Sequence, residues 1–449
     1  MKKLFTIATV LLIASSAYAQ EEKKGAEFTY GARAWLYGVT GAQKDLKYDY
    51  SHFRIRPMFT LGMEDIKLVT HLEISQYFGR DKDSPAAGNS YAGPAADNQS
   101  IRIKGAYLEA KNAMIQNLSL MGGLNGYKYP LVIDNDFGMF TVGYDFGMGK
   151  ANLSYIKINE YSQVEQNAMK QKSNEDAQAY ILDVPIKVDK DITVRPMVMF
   201  IQGGKDVPEP ANALSTNNLL YKTSLINAAL NAVGKIDMIS FTATGAYLTG
   251  TLNKTATNDK IKTSAFAFDL GVDAKPNDMF KVGAFFTYAT GNDGKKSDEN
   301  NNYFHNMENI LGRPNKSDGA GYGRLFILEA ATITQVGGTY DDFFAMGHER
   351  GYMSYGINAE AYLDKVTLLA QFGMASTTKK ASGEKSDIGS EIDIKASYAL
   401  ASKTALFVEF GYLMAGKAPV GTLYGAGTTN KTQAEENMYQ LAWGITAQI

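Results

Sequence analysis

The chain has 449 residues, no cysteine, and 45 Lys and Arg against 47 Asp and Glu. The missing thiols exclude a disulfide framework and thiolate metal sites, and the near-neutral charge argues against a nucleic-acid partner, which needs a basic surplus. Beyond the N-terminus no apolar run reaches the roughly 18 residues of a membrane-crossing helix, so an exported chain of this kind can span a bilayer only as a closed barrel.

Lys2 and Lys3 precede the apolar stretch Leu4 to Ala14, and Ala17-Tyr18-Ala19 forms a small-x-small cleavage pattern. This is the anatomy of a secretory signal. Residues 1–19 are therefore expected to be removed, leaving 20–449 as the mature protein, with no cysteine to carry a lipid.

From residue 26 onward, apolar and polar residues alternate with the period of two that marks strands with one apolar face. Strands are expected at 26–40, 48–62, 66–77, 100–111, 118–128, 137–147, 151–160, 177–188, 192–202, 219–233, 236–250, 261–274, 279–290, 350–363, 365–376, 387–400, 404–414 and 438–449. In the second, Phe53, Ile55, Pro57, Phe59 and Leu61 oppose His52, Arg54, Arg56 and Thr60. In 387–400, Ile388, Ile392, Ile394, Ala396, Tyr398 and Leu400 oppose Glu391, Asp393, Lys395 and Ser397. Near the end, Tyr439, Leu441, Trp443, Ile445, Ala447 and Ile449 oppose Gln440, Gly444, Thr446 and Gln448. Such lengths suit strands that cross a bilayer at a tilt. The last strand has the form that barrel-assembly machinery recognises, although it ends on Ile449 rather than an aromatic.

Short turns are expected at residues such as Met63-Glu64-Asp65, Gly234-Lys235, Asp364-Lys365 and Ala401-Ser402-Lys403. Long polar connections near 78–99, 161–175, 203–217, 251–260, 376–386 and 415–436 alternate with them. Short turns on one side and long loops on the other are the layout of an outer-membrane barrel. Residues 291–349 are read as one very long outer loop. Within it, 324–332 (RLFILEAAT) reads equally as a further strand, a lumen plug or a hairpin above the membrane. The expectation is an all-β, antiparallel, up-and-down transmembrane barrel of about 18 strands, with 16 as the nearest alternative.

With the apolar face turned to lipid, the opposite face shows what lines the lumen. Early strands present Arg33, His52, Arg54, Arg56, Lys67, Arg102 and Lys104 inward, and Arg195 is added mid-chain. Late strands present Asp269, Asp273, Glu360, Glu391, Asp393 and Glu409. Either the two arcs set up a transverse field across a narrow lumen, or the charges pair along the wall. Closure of the barrel offers Glu409 or Glu391 as a partner for Arg33 or Arg54.

Little else points to chemistry. His52 and His71 fall on neighbouring strands and read as polar wall residues rather than metal ligands, and no His-x-x-x-His spacing occurs. Asp293, Asp298 and Glu299 sit in an oxygen-rich loop that lacks calcium-loop spacing. No Gly-x-Ser-x-Gly elbow and no phosphate-binding loop are present. The sequence therefore predicts neither an enzyme, a metal nor a cofactor.

Several stretches resemble the alginate-export group of outer-membrane porins. Phe53-Arg54-Ile55-Arg56-Pro57 resembles its early arginine strand, and Ala106-Tyr107-Leu108-Glu109 the strand that follows. Gly122 to Asp136 stands where the group carries a glycine-rich strand and turn, without the usual Gly-Arg-Gln. Tyr288-Ala289-Thr290-Gly291-Asn292-Asp293 is similar to the opening of the group's long loop. The resemblance implies an 18-stranded barrel with a basic conduit. The reading that results is an outer-membrane porin of a Gram-negative cell, embedded in lipid and passing small hydrophilic or anionic solutes passively, with small solutes or anionic saccharides as its partners. The alternatives are a plugged barrel acting as a surface-binding or adhesion protein, and a sleeve for a periplasmic electron carrier.

Overall fold

The computed structural model describes residues 27–43, 46–78, 100–112, 115–159, 177–203, 223–254, 259–292, 295–296, 298–303, 324–329, 350–380, 382–418 and 437–448. The expected signal segment and most of the long connections lie outside them. In chain order the strands are β1 (Glu27–Gln43), β2 (Leu46–Met63), β3 (Ile66–Phe78), β4 (Ser100–Lys111), β5 (Leu118–Tyr129), β6 (Ile133–Asp145), β7 (Lys150–Asn159), β8 (Ala177–Asp183), β9 (Ile186–Lys187) and β10 (Ile192–Gln202). There follow β11 (Ser224–Ile236), β12 (Ile239–Lys254), β13 (Asp259–Ala274), β14 (Phe280–Ala289), β15 (Tyr352–Leu363), β16 (Val366–Ser376), β17 (Asp387–Ala401), β18 (Thr404–Ala415) and β19 (Met438–Gln448).

β8 and β9 are one span broken at Val184-Pro185, since β10 pairs with both pieces. Proline has no N–H for the ladder, so pairing lapses there. The spans therefore number eighteen, every pairing is antiparallel between sequence neighbours, and β1 closes on β19 from Arg33↔Gln448 to Gln43↔Met438. Closure leaves no sheet edge along that seam. An even number of spans brings both ends of the barrel chain to the side of the short turns.

Three of those turns are two residues long and hold a non-glycine residue at positive φ: Glu64 at 46°, Asp237 at 52° and Asp364 at 52°. Short polar side chains tolerate that left-handed region best among non-glycine residues. The turn expected at Gly234-Lys235 lies instead at Asp237-Met238, because the ladder continues through Gly234↔Phe241 to Ile236↔Ile239. Gly234 lies under the Phe241 ring, where a Cβ would come within 2.8 Å of it. The glycine thus marks close cross-strand packing rather than a turn.

Alternation sets the wall's two faces. Ile392, Ile394, Tyr398, Phe410 and Trp443 are exposed on the outside, and Glu391, Asp393, Glu409 and Gln440 are buried on the inside. Ile388 departs from the expected outer row and is 1% exposed. Its ladder carries a bulge: Ala375 pairs with Gly389 and Ser376 with Asp387, so Ile388 is the extra residue and turns inward. A charge placed on the outer row tests the register. Ile394→Arg is expected to cost about 2–4 kcal/mol, as an arginine facing lipid near mid-depth does. Denaturant unfolding in lipid vesicles reads it, and a stability equal to wild type would show that this face does not meet lipid.

Candidate functional site

Two pieces of chain occupy the inside of the barrel. The first is the tip of the β5–β6 hairpin. β5 follows β4 only as far as Ala106↔Leu124, and β6 joins β7 only from Gly138↔Lys157 onward. Between these points the hairpin leaves the wall. Gly123 sits at the bend with φ +137°, and a Cβ there would collide with the Ala106 carbonyl; only glycine adopts this geometry without strain. The strand expected to begin at 137 therefore begins at Ile133, inside the lumen.

The hairpin is amphipathic. Tyr127, Tyr129, Ile133 and Phe137 are buried, while Gly126 and Asp134 stay exposed. Tyr127 OH donates to Asp183 Oδ2 at 3.1 Å, and Tyr129 OH donates to the Arg195 carbonyl. The Arg195 guanidinium lies 4.7 Å from the centre of the Tyr129 ring and grips Asp183 at 2.8 and 2.6 Å. Arg195, expected to line the lumen, is thus an anchor that holds the hairpin on the β8–β10 wall.

The second piece is Arg324–Glu329, the ambiguous stretch of the long connection. It is a single helical turn rather than a strand, with Glu329 N–H donating to the Leu325 carbonyl at 3.2 Å. Leu325, Phe326, Ile327 and Leu328 are buried. A lone turn leaves its first N–H groups without backbone acceptors, and here wall carboxylates take them. Ile327 and Leu328 N–H donate to the two Glu391 oxygens at 2.6 and 2.7 Å. Phe326 N–H donates to Asp393 at 3.1 Å, and Gln371 Nε2 bridges Asp393 and the Arg324 carbonyl at 2.7 Å each. Arg324 makes a two-pronged pair with Asp269 at 2.7 and 3.0 Å. Glu329 accepts from Arg324 N–H at 2.6 Å, Tyr352 OH at 2.9 Å and Ser354 Oγ at 2.5 Å.

The late acidic arc is therefore engaged in docking this turn. Glu391 does not reach across the seam to an arginine, and neither does Glu409, which pairs with Lys395 at 2.7 Å. Glu360 pairs with Lys281 on the neighbouring strand.

The early basic arc is differently placed. Arg33 faces Arg56 across the β1–β2 ladder, and Arg102 faces Glu73 across β3–β4. Glu73 is buried between Arg56, at 2.6 Å, and Arg54, at 3.7 Å, and Arg56 stacks 5.4 Å from the Trp35 ring centre. Lys104 pairs with Asp136 on the outer face of the inserted hairpin. Arg33 and Arg102 are exposed and form no ion pair among the described residues. Arg33, Arg54, Arg56, Arg102 and Lys104 thus gather on β1–β4, and among the described residues Glu73 and Asp136 are their only ion-pair partners.

His52 is buried with its Nδ1 2.6 Å from Tyr37 OH. His71 pairs with Met58, six positions along β2 from His52, so the two histidines stand about 20 Å apart at strand rise. No cluster of three potential metal ligands occurs among the described residues. Arg324, Glu329 and Glu73 are central to this interior and carry no sequence motif; RLFILE showed only an apolar run flanked by opposite charges.

The fold and interior define a transmembrane β-barrel of eighteen spans whose lumen is partly filled from within. No family model matches the chain, and no curated protein does. Among solved structures it is similar to OccK1 (OpdK) of Pseudomonas aeruginosa, at 10% identity and TM-score 0.56 over 94% of this chain and 98% of that one. It is also similar to OpdK of the same organism solved with vanillate, at 11% identity and TM-score 0.56 over the same shares. OccAB2 of Acinetobacter baumannii gives 10% identity and TM-score 0.55, again over 94% and 98%. At such identities the likeness is one of fold. The alginate-export resemblance rests on its short sequence motifs alone.

Proposed function

We propose that the protein is an outer-membrane porin, a passive channel for small hydrophilic solutes with a preference for anions, and not an enzyme. One observation carries this reading. The inserted hairpin covers β8–β10 and the docked turn covers β13–β18, while the β1–β4 side keeps Arg33 and Arg102 exposed. An anion at that wall exchanges hydration for guanidinium hydrogen bonds, which a cation cannot do. Arginine stays charged at every physiological pH, so the preference does not switch off. The fold likeness to the Occ proteins supports the reading, and one of them is solved with vanillate, a small carboxylate. Lipid around the outer face and barrel-assembly machinery acting on β19 are the partners such a chain needs.

Arg33→Gln with Arg102→Gln removes two arginines that form no ion pair among the described residues and leaves the rest of the wall intact. The anion-to-cation permeability ratio is expected to fall while conductance persists. The effect is moderate, because salt screens charge beyond about 8 Å in a wet lumen. The reversal potential across a salt gradient measures it, and equal values in wild type and variant would refute anion preference.

A further inference from the structure

The departure of the β5–β6 hairpin leaves a notch in the wall. On one side, β4 is paired with β3 all the way up to Ser100. On its other side the ladder stops at Ala106↔Leu124. Across the notch, β6 rejoins the wall at Gly138. Among the described residues, Ser100 to Gly105 thus has no strand partner on the β5 side. Backbone N–H and C=O groups left unpaired against hydrocarbon are costly, so such an edge needs a polar occupant.

The surroundings show what kind. Ile101 and Ile103 point outward and are 63% and 51% exposed. Arg102 and Lys104 alternate with them and point inward. Tyr155 and Tyr180 stand on the outer face beyond the notch, with Lys157 and Gln178 paired next above them. A tyrosine pair followed by polar residues marks the headgroup level of a barrel. The notch is therefore apolar outside, cationic inside, and set at the outer leaflet. What bridges it is a side-chain contact, Lys104 to Asp136, where a complete wall would have a ladder.

We infer that this notch is a lateral portal between lumen and outer leaflet, and that it admits a single-tailed anionic amphiphile. The tail would lie along Ile101 and Ile103, and the carboxylate would meet Arg102 and displace Asp136 from Lys104. A zwitterionic phospholipid, with a bulkier and neutral head, fits neither feature. The path is separate from axial conduction and stands or falls without it.

The absence of native cysteine makes the test clean. The full chain carrying Asn125→Cys, labelled with bimane just inside the notch, is refolded into phosphatidylcholine vesicles. Doxyl-stearate and doxyl-phosphatidylcholine are then compared as membrane-confined quenchers at matched depth and mole fraction. The stearate is expected to quench the label severalfold more strongly. Arg102→Gln with Lys104→Gln should raise its half-quenching concentration roughly tenfold, the loss expected for a charge-assisted contact. Asp136→Asn frees Lys104, keeps both cations and should lower that concentration. Equal quenching by the two probes in the otherwise unaltered protein would overturn the portal. So would an Asp136→Asn variant that binds stearate no better.

Discussion

Glu391→Ala is expected to give a larger and noisier single-channel conductance. The Glu391 carboxylate is fully buried and accepts two backbone N–H groups from the docked turn. Removing it leaves both donors buried without that acceptor, at about 1–3 kcal/mol each. That is enough to shift the turn from almost always docked to frequently released, since each ~1.4 kcal/mol changes the ratio tenfold. The wall is closed by its own ladders, so the barrel should survive. Planar-bilayer recordings read the outcome. A covalent tether provides the control: Ile327 Cγ1 lies 3.2 Å from where a Cβ on Gly411 would be. Oxidised Ile327→Cys with Gly411→Cys, in the Glu391→Ala background, should restore a small, quiet conductance. If Glu391→Ala already conducts like wild type, the turn does not limit the pore.

The second large effect concerns the arginines that flank Glu73. Arg54→Gln with Arg56→Gln removes both cations while Glu73 remains, so the local balance passes from positive to negative on that strand pair. A buried carboxylate deprived of its partners is strongly destabilising, by about 3–5 kcal/mol, unless it regains water or another cation. Arg102, which faces Glu73 across the ladder, and Lys104 beside it are the cations nearby. The anion-to-cation permeability ratio should therefore fall further than in the Arg33→Gln, Arg102→Gln pair, and unfolding should come at lower denaturant. Adding Glu73→Gln to the Arg54 and Arg56 changes should recover stability without recovering anion preference. Stability left unchanged by the double variant would mean that Glu73 does not depend on these arginines.

The barrel was legible because lipid and lumen impose opposite demands on alternate residues, and that demand is written locally in every strand. β10 follows the periodicity to its end residues, and β4 keeps its expected bounds but carries a bulge at Lys104. The exceptions are places where a backbone irregularity reverses the alternation. Ile388 turned inward at a bulge that period-two reading cannot detect, and Gly234 looked like a turn because packing under Phe241 also requires glycine. The interior was less legible. Lumen-facing positions could be read, but a partner contributed from elsewhere in the chain could not. The sequence offers Glu391 either to a field across the lumen or to an arginine across the seam, and a lumen plug is one of three readings of RLFILE, but nothing local joins the two: the N–H groups of that turn, from which Glu391 and Asp393 accept hydrogen bonds, lie more than sixty residues away. Arg195 looked like a selectivity residue because nothing in its strand announces Asp183 and Tyr129. Arg33, Arg54, Arg56, Arg102 and Lys104 share the inward face in the sequence pattern, and the registers of β1–β4 set their strands side by side.

The two inserted pieces also bear on the order in which the barrel can be built. The β5–β6 hairpin rests on β8–β10, and the Arg324–Glu329 turn rests on β13 and β15–β17, so each docks within its own half of the chain. Loops that close over short sequence separations form at lower entropic cost and sooner than long ones. Both halves can thus acquire their interior filling while the sheet is still an open, curling ribbon. The β1–β19 seam is then the last and longest-range joining, and among the described residues nothing has to be threaded through the ring once it has shut.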